Sequence, residues 1–479
     1  MNSKLIKLGI SLLLTLIAFL LPHEFFPWDI TIVEQRVIAL FVFAASMWIT
    51  EAIPVWTTSV AVVVLMLLIV SGSSLGFLMP DKDASQAVVN CYGKFISYKK
   101  IMGSFADPTI MLFMGGFVLA AAASKYKVDA TLARVLLKPF GTKSEFVLLG
   151  FILITAVFSM FMSNTATAAM MLTILSPVLA SLPESGKGRI GLALAIPIAA
   201  NLGGMGTPIG TPPNAIAIGT LCAQGIHIGF SSWMLVMVPF VIILLMFSWF
   251  ILKKLFPFSQ KNIIIEIPGK TDKSPKAYIV YITSAITILL WMTEKFTGLN
   301  ANVVALIPFG VFTVTGVFDR KDLQILDWDV LWLVAGGLAL GVGLEDSHLA
   351  TDLIKAIPFG EWNPLVMMIG AGFLCLLMST FMSNTATAAL LIPILAAAGV
   401  GMGTSLDGFG GMKALIIGLA MSASLAMSLP ISTPPNAIAY AKGFIKQSDM
   451  AKVGIIVGIV GLILGYFILI FAGQNGLLD

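Results

Sequence analysis

Two short polar motifs interrupt an otherwise apolar chain, and each occurs twice. FMSNTATAA fills 161–169 and returns letter for letter at 381–389; TPPNAIA fills 211–217 and returns at 433–439. The offsets are 220 and 222 residues, so one pattern of motifs has been laid down twice. Small hydroxyls, an amide and a Pro-Pro pair do chemistry where a helix is broken and restarted. A helix restarting at Ser163-Asn164-Thr165, at Ser383-Asn384-Thr385 or at either Pro-Pro pair offers free N–H groups and a positive dipole end, which favour an anion. In TPPN the Pro-Pro pair breaks the chain and the asparagine, Asn214 in the first copy, is expected to cap the restart. In the ten residues after each SNT and each TPPN no Lys, Arg or His occurs, apart from Lys442 and Lys446. A bound anion is therefore to be neutralised by dipoles, hydroxyls and a co-bound cation.

The same motifs supply cation ligands. Ser159 stands five residues before Asn164 and Ser379 five before Asn384, which puts a hydroxyl roughly one turn from each amide oxygen. Carbonyls freed where the chain unwinds, around Gly210 and Ser432, would complete an uncharged cage of oxygens. Hard cations take oxygen ligands, and a cage without carboxylates suits Na⁺ better than a divalent ion. Sequences for enzymatic chemistry are missing: there is no HExxH, GxSxG, P-loop or paired-Asp motif, and an enzyme is not expected. Histidines His23, His227 and His348 fall in loops or near helix ends and are assigned no role. The acids Glu51 and Glu294 recur in WxTE and are read as caps or interfacial groups in preference to coupling groups.

The elements that must position these motifs lie in a membrane. The 479 residues are 58% hydrophobic and 11% charged, with a mean hydropathy of +0.98, a balance that excludes an ordinary soluble domain. The expected fold class is all-α: a polytopic membrane protein of about eleven spans plus two re-entrant helical hairpins, in two inverted repeats with two discontinuous helices. The net charge of +4 is spread over loops without a basic, aromatic-rich cluster, so no nucleic acid partner is expected. Cys91, Cys222 and Cys375 show neither metal nor redox spacing and read as packing residues.

In chain order, residues 5–21 make a retained first span in preference to a cleaved signal, within an N-terminal segment 1–35. The first repeat covers 36–255, with spans at 36–53, 55–72, 108–124 and 232–255, a hairpin at 145–182 and a broken span at 189–224. The amphipathic stretch 125–140 is suited to the membrane surface. A lysine-rich linker, 256–276, leads to the second repeat, 277–479, with spans at 277–296, 301–318, 327–344 and 452–472, a hairpin at 363–400 and a broken span at 413–445. With the N-terminus inside, 20 of the 28 Lys and Arg fall on the inner side. That frame expects a multi-pass inner (plasma) membrane protein with a cytoplasmic N-terminus and linker and an extracytoplasmic C-terminus. Five spans per repeat is an odd number, so the repeats are inverted and the two tips enter from opposite sides, as in secondary transporters.

Over nearly its whole length the chain resembles the divalent anion/sodium symporter (DASS) family, in its twin SNT motifs, twin TPPN segments, two hairpins and eleven spans. The resemblance implies sodium-coupled uptake of C4-dicarboxylates such as succinate, fumarate or malate by a homodimer whose tip-bearing part moves like an elevator. It implies substrate contacts from Asn164, Thr165, Thr211, Pro212, Asn384, Thr385, Thr433 and Pro434. It implies two or more sodium ions, one held by Ser159, Ser163, Asn164 and Gly210 and one by Ser379, Ser383, Asn384 and Ser432. Ser432 departs from the first half, where Gly210 stands. Some relatives exchange dicarboxylates, or a tricarboxylate for a dicarboxylate, without sodium, and that alternative stays open, as does preference among dicarboxylate, tricarboxylate and sulfate. An anion channel would differ from both in failing to accumulate substrate.

Overall fold

A computed structural model describes residues 3–26, 28–81, 84–183, 186–263, 271–357 and 359–478. Lys82, Lys270 and the middle of the 256–276 linker lie outside the described residues. The described chain is helical throughout, with no strand. Eight of its helices are long and apolar enough to cross a membrane. Six of them are spans expected from sequence, and the other two, Pro364–Phe381 and the stretch from Asn384, are the arms of the second expected hairpin. Of the remaining expected spans, the first is the single helix Ser3–Leu20, and the others are built from shorter pieces, such as Val55–Ile69, or from two helices in succession, such as Lys187–Gly204 with Pro212–Ala223. The sequence sets those breaks: proline at the first helical position replaces an N–H that would go unused, so Pro212 and Pro434 each start a new helix.

Each SNT motif lies at the turn of a helix pair. Ser144–Ser159 and Asn164–Ser181 form the first pair, and Pro364–Phe381 and Asn384–Met402 the second. The arms of 16 to 19 residues are roughly 24–28 Å long at 1.5 Å per residue. That is close to the hydrocarbon thickness, so arm length alone does not separate them from spanning helices. Ser163 and Ser383 cap the second arm of each pair, their hydroxyls accepting the N–H of Ala166 at 3.2 Å and of Ala386 at 3.1 Å.

The pairs and broken spans interlock. Each pair packs on the broken span of its own half, Lys187–Gly204 or Gly411–Ser424. Each restarted helix crosses over: Pro434–Ala441 lies on Asn164–Ser181, and Pro212–Ala223 lies on Asn384–Met402. Around this body, Val55–Ile69 packs on Trp328–Asp346, and Pro108–Lys125 on Leu306–Val314. Duplicated Gly-Gly pairs make the seams. Gly115 and Gly336 let those outer helices touch, against the Ala305 backbone and Ser59. Their neighbours Gly116 and Gly337 face Ile209 and Ala389 of the tip-bearing body.

The amphipathic Val128–Leu137 helix buries Val128, Ala133 and Leu137 and leaves Leu132, Val135 and Leu136 exposed. It sits against Ser144–Ser159 and Pro108–Lys125. Burial pushes the Asp129 carboxyl above its ordinary range, against hydrogen bonds from Ser124 Oγ and the Ala130 N–H.

Candidate functional site

The first cluster begins with Ser159, the last residue of its helix, and Asn164, the first of the next. The four-residue turn between them folds the side chains together. One terminal atom of the Asn164 amide lies 2.7 Å from Ser159 Oγ, 3.1 Å from the Gly210 carbonyl and 3.2 Å from the Ala200 carbonyl. All three neighbours are acceptors. With the amide nitrogen there, the carbonyls are satisfied as hydrogen-bond partners. With the oxygen there, four oxygens converge with one hydroxyl proton among them, and Ser159 Oγ has a second acceptor, the Ala200 carbonyl, at 2.7 Å. Such a surplus of acceptors in a buried place is costly unless a cation or an N–H group fills it. The glycines make room: a Cβ on Gly204 would stand 2.5 Å from Asn164 Oδ1, and Gly210 packs directly on Gly204.

The second half repeats the core of this arrangement. Ser379 Oγ stands 2.8 Å from Asn384 Oδ1 and 2.8 Å from the Ala423 carbonyl, again one proton facing two acceptors. Ser159 and Ser379 are both wholly buried. The halves then diverge at the position noted from sequence. Ser432 spends its hydroxyl on the Thr380 carbonyl at 2.7 Å and accepts the Leu429 N–H at 3.2 Å. Among the described residues no group of three His, Cys, Asp or Glu side chains gathers, so the donors of both clusters are neutral oxygens.

The remaining residues picked from sequence take these places. Thr211 and Thr433 are buried N-caps in extended backbone, and Pro212 and Pro434 open the restarted helices, half-buried and exposed respectively. Thr165 is exposed and Thr385 half-buried, each one residue into its helix. Ser163 and Ser383 serve as helix caps.

Other residues had no sequence signal. The Ala200 and Ala423 carbonyls are backbone groups 41 and 44 residues from the serines that meet them. Asn214 was expected to cap the restarted helix, and it does not: Thr211 holds that place, because the prolines occupy the first two helical positions. The Asn214 amide reaches back instead, donating to the Gly204 carbonyl at 3.1 Å and the Thr207 carbonyl at 2.8 Å. Asn436 does the same for Met427 at 2.8 Å and Leu429 at 2.9 Å. The unwound segment is also pinned by Trp233, whose indole N–H donates to Met205, and by Thr207, whose hydroxyl donates to the Met160 carbonyl. Side-chain donors thus serve the Gly204 and Met427 carbonyls at the breaks and add a second bond to Thr207 and Leu429, which already accept the Gly210 and Ser432 N–H groups.

The twin acids part company. Glu294 accepts the Phe230 N–H at 2.8 Å and the Ala301 N–H at 3.3 Å, so one carboxylate caps two helices. Glu51 ends the Ile32–Thr50 helix in the left-handed region, φ 47°, with its side chain exposed.

Comparison with known proteins follows the same lines. The citrate transporter family profile (CitMHS) matches residues 45–409. An uncharacterized transporter of Haemophilus influenzae is 33% identical over 474 residues, 95% of each chain. The sodium-dependent dicarboxylate transporter SdcS of Staphylococcus saprophyticus is 30% identical, covering 91% of this chain and 85% of that one. Among solved structures, the Neisseria gonorrhoeae efflux pump MtrF superposes with a TM-score of 0.55 over 89% of this chain and 96% of its own. The Alcanivorax borkumensis transporter YdaH gives 0.58 over 88% and 98%. Both are 13% identical and speak to the fold alone.

Proposed function

The chain belongs to the citrate transporter family, in keeping with the resemblance its motifs carry, and from that premise we propose that it is a sodium-driven dicarboxylate carrier. The substrates are C4-dicarboxylates such as succinate, fumarate and malate, taken up across the inner (plasma) membrane. The observation that carries this reading is the convergence at Asn164: Ser159 Oγ and the Ala200 and Gly210 carbonyls all lie within 2.7–3.2 Å of one terminal atom of its amide, a set of oxygens that either the amide nitrogen or a cation can satisfy. A Na⁺ ion entering there takes the place of the amide nitrogen, with the Asn164 amide oxygen turned inward. Ser379, Asn384 and the Ala423 carbonyl do the same in the second half. Ser163, Ser383 and Ser432 belong to these two sites by position, although their hydroxyls serve caps and the Thr380 carbonyl here.

With the cations in place, Asn164, Thr165, Asn384 and Thr385 offer amide and hydroxyl groups to the substrate carboxylates at two helix N-termini. Thr211, Pro212, Thr433 and Pro434 open the other two. A dianion is then held by dipoles and by the neighbouring ions without a basic side chain. Binding of anion and cation becomes mutually dependent, which is the physical requirement for coupling their fluxes.

The two interlocked helix pairs and broken spans form the moving part of an inverted-repeat elevator, working as a homodimer with the N-terminus cytoplasmic and the C-terminus outside. Support comes from the small-residue seams at Gly116 and Gly337, where the outer helices approach Ile209 and Ala389 of the tip-bearing body closely.

The test is ligand stabilisation. Na⁺ with succinate raises the melting midpoint of the purified wild-type protein, succinate with choline does not, and Asn164→Ala abolishes the gain. Equal stabilisation by succinate in Na⁺ and in choline would instead make the protein a sodium-independent exchanger and leave the oxygen clusters without their ion.

A further inference from the structure

We infer that Asn201 is a positioning residue that links the first oxygen cluster to the second TPPN helix, an inference that rests on the sodium-dicarboxylate reading above. Asn201 lies on the Lys187–Gly204 helix directly after Ala200, whose carbonyl belongs to the Ser159–Asn164 cluster. Its side chain is 1% exposed. The Nδ2 group donates to Thr433 Oγ1 at 3.1 Å and to Asn436 Oδ1 at 3.2 Å. Thr433 is the N-cap of the restarted helix of the other half, where its hydroxyl also accepts the Asn436 N–H at 3.3 Å. A single residue thus has its backbone neighbour in one cluster and its amide on the other half's substrate-facing helix start.

The second half lacks this link. There Ala423 supplies the equivalent carbonyl, and the next residue is Ser424. Its shorter side chain turns onto its own helix, donating to the Ala420 carbonyl at 3.0 Å. Asn214, the counterpart of Asn436, keeps a buried Oδ1 with no hydrogen-bond partner among the described residues. The two halves are therefore wired unequally: an amide bridge runs from the first cluster to the second TPPN segment, and no matching bridge returns.

Coupling between two ligands requires a physical connection whose state both of them bias. A cation at the first cluster fixes the Ala200 carbonyl, and with it the turn of helix that aims Asn201 at Thr433. Thr433 is then held where a carboxylate meets it. Without the amide, Thr433 and Asn436 lose buried donors, and the substrate-facing helix start no longer registers whether the first cluster is filled.

The experiment uses full-length wild type, N201A, N201S and S424A in proteoliposomes. Succinate KM is measured at low and at saturating Na⁺, alongside the melting midpoint of each purified protein with and without Na⁺. In wild type and S424A, KM falls by roughly tenfold or more as Na⁺ rises, within the usual range of allosteric coupling. In N201A and N201S the fall shrinks to less than about threefold, while Na⁺ alone still raises the midpoint, because the ligands of the first cluster remain. N201S carries the residue the other half uses at this place, which separates a lost bridge from a lost fold. Variants that keep the wild-type KM ratio overturn the inference. So does loss of the Na⁺-induced midpoint gain in both variants, which makes Asn201 a structural residue. A wild-type KM indifferent to Na⁺ refutes the transport reading first, and the inference falls with it.

Discussion

Replacing Gly204 with alanine attacks the first oxygen cluster from its floor. The added methyl would stand 2.5 Å from Asn164 Oδ1, 3.0 Å from Asn164 Nδ2 and 3.0 Å from the Gly210 carbonyl. Ordinary contact begins at 3.4 Å, so the Asn164 amide has to retreat by roughly 0.9 Å and the Gly210 backbone by a few tenths. Overpacking of this kind costs about 1–3 kcal/mol. Gly204 ends a helix with ordinary φ, and alanine there returns up to about 1 kcal/mol of helix propensity. The net loss of stability is therefore about 0–3 kcal/mol, and the protein is expected to fold. The cluster fares worse, because the Asn164 amide can no longer meet Ser159 Oγ and the Gly210 carbonyl together. The expected result is a rise of about tenfold or more in the Na⁺ concentration that half-saturates succinate uptake, equivalent to about 1.4 kcal/mol of lost cation binding. The assay is a Na⁺ titration of uptake into proteoliposomes. Gly310→Ala, on the Leu306–Val314 helix with nothing within 4 Å of the new methyl, serves as the control and leaves the titration unchanged. A folded Gly204→Ala protein with wild-type Na⁺ dependence would refute the cage.

Further outcomes follow from the same geometry. Asn164→Ala and Asn384→Ala abolish uptake while yield and size-exclusion profile stay those of wild type; normal transport by both would remove the site from these tips. Asn436→Ala strands the Met427 carbonyl, leaves the Leu429 carbonyl with the Ser432 N–H alone, and lowers stability by about 1–3 kcal/mol, read as a fall in melting midpoint. Glu294→Gln weakens the caps on Phe230 and Ala301 by about 0.5–1 kcal/mol and leaves the substrate-to-sodium flux ratio unchanged; a changed ratio would make this acid a coupling group. Asp319 is held below the ordinary carboxylate range, first by the Lys321 N–H and then by the Asp322 N–H and Lys125. A depressed folded-state value means its contribution is present above the ordinary value of 3.8 and disappears as pH falls through the lowered one. Acid titration of the melting midpoint of wild type and Asp319→Asn shows it: the gap between them closes at low pH.

The parts of the site that were legible in the sequence are those fixed over short distances. Ser159 and Asn164 are five residues apart across one turn, so their meeting follows from local geometry, and the copy at Ser379 and Asn384 doubles the signal. The restarts at Pro212 and Pro434 were legible because proline dictates where a helix begins. What was not legible runs through the backbone or across the halves. Ala200 and Ala423 contribute carbonyls, which every residue has, and the pairing partner is set by how Lys187–Gly204 and Gly411–Ser424 pack. Asn201 looks like any helical asparagine until its contact with Thr433, 232 residues on, is seen. The capping role expected of Asn214 failed for a local reason: two prolines moved the cap back to Thr211 and left the asparagine facing the unwound carbonyls. Glu51 and Glu294 share a motif and not a role, because the Phe230 and Ala301 helix starts converge on the second acid.

Cation occupancy of the oxygen clusters is proposed to drive accumulation of a dicarboxylate. The most direct measurement is uptake of radiolabelled succinate into proteoliposomes under an inward Na⁺ gradient, compared with equal gradients of K⁺ and choline. Succinate is expected to accumulate above equilibrium with Na⁺ alone, and the accumulation to collapse when the gradient is dissipated. Uptake that ignores Na⁺ and requires dicarboxylate inside the vesicle would contradict this.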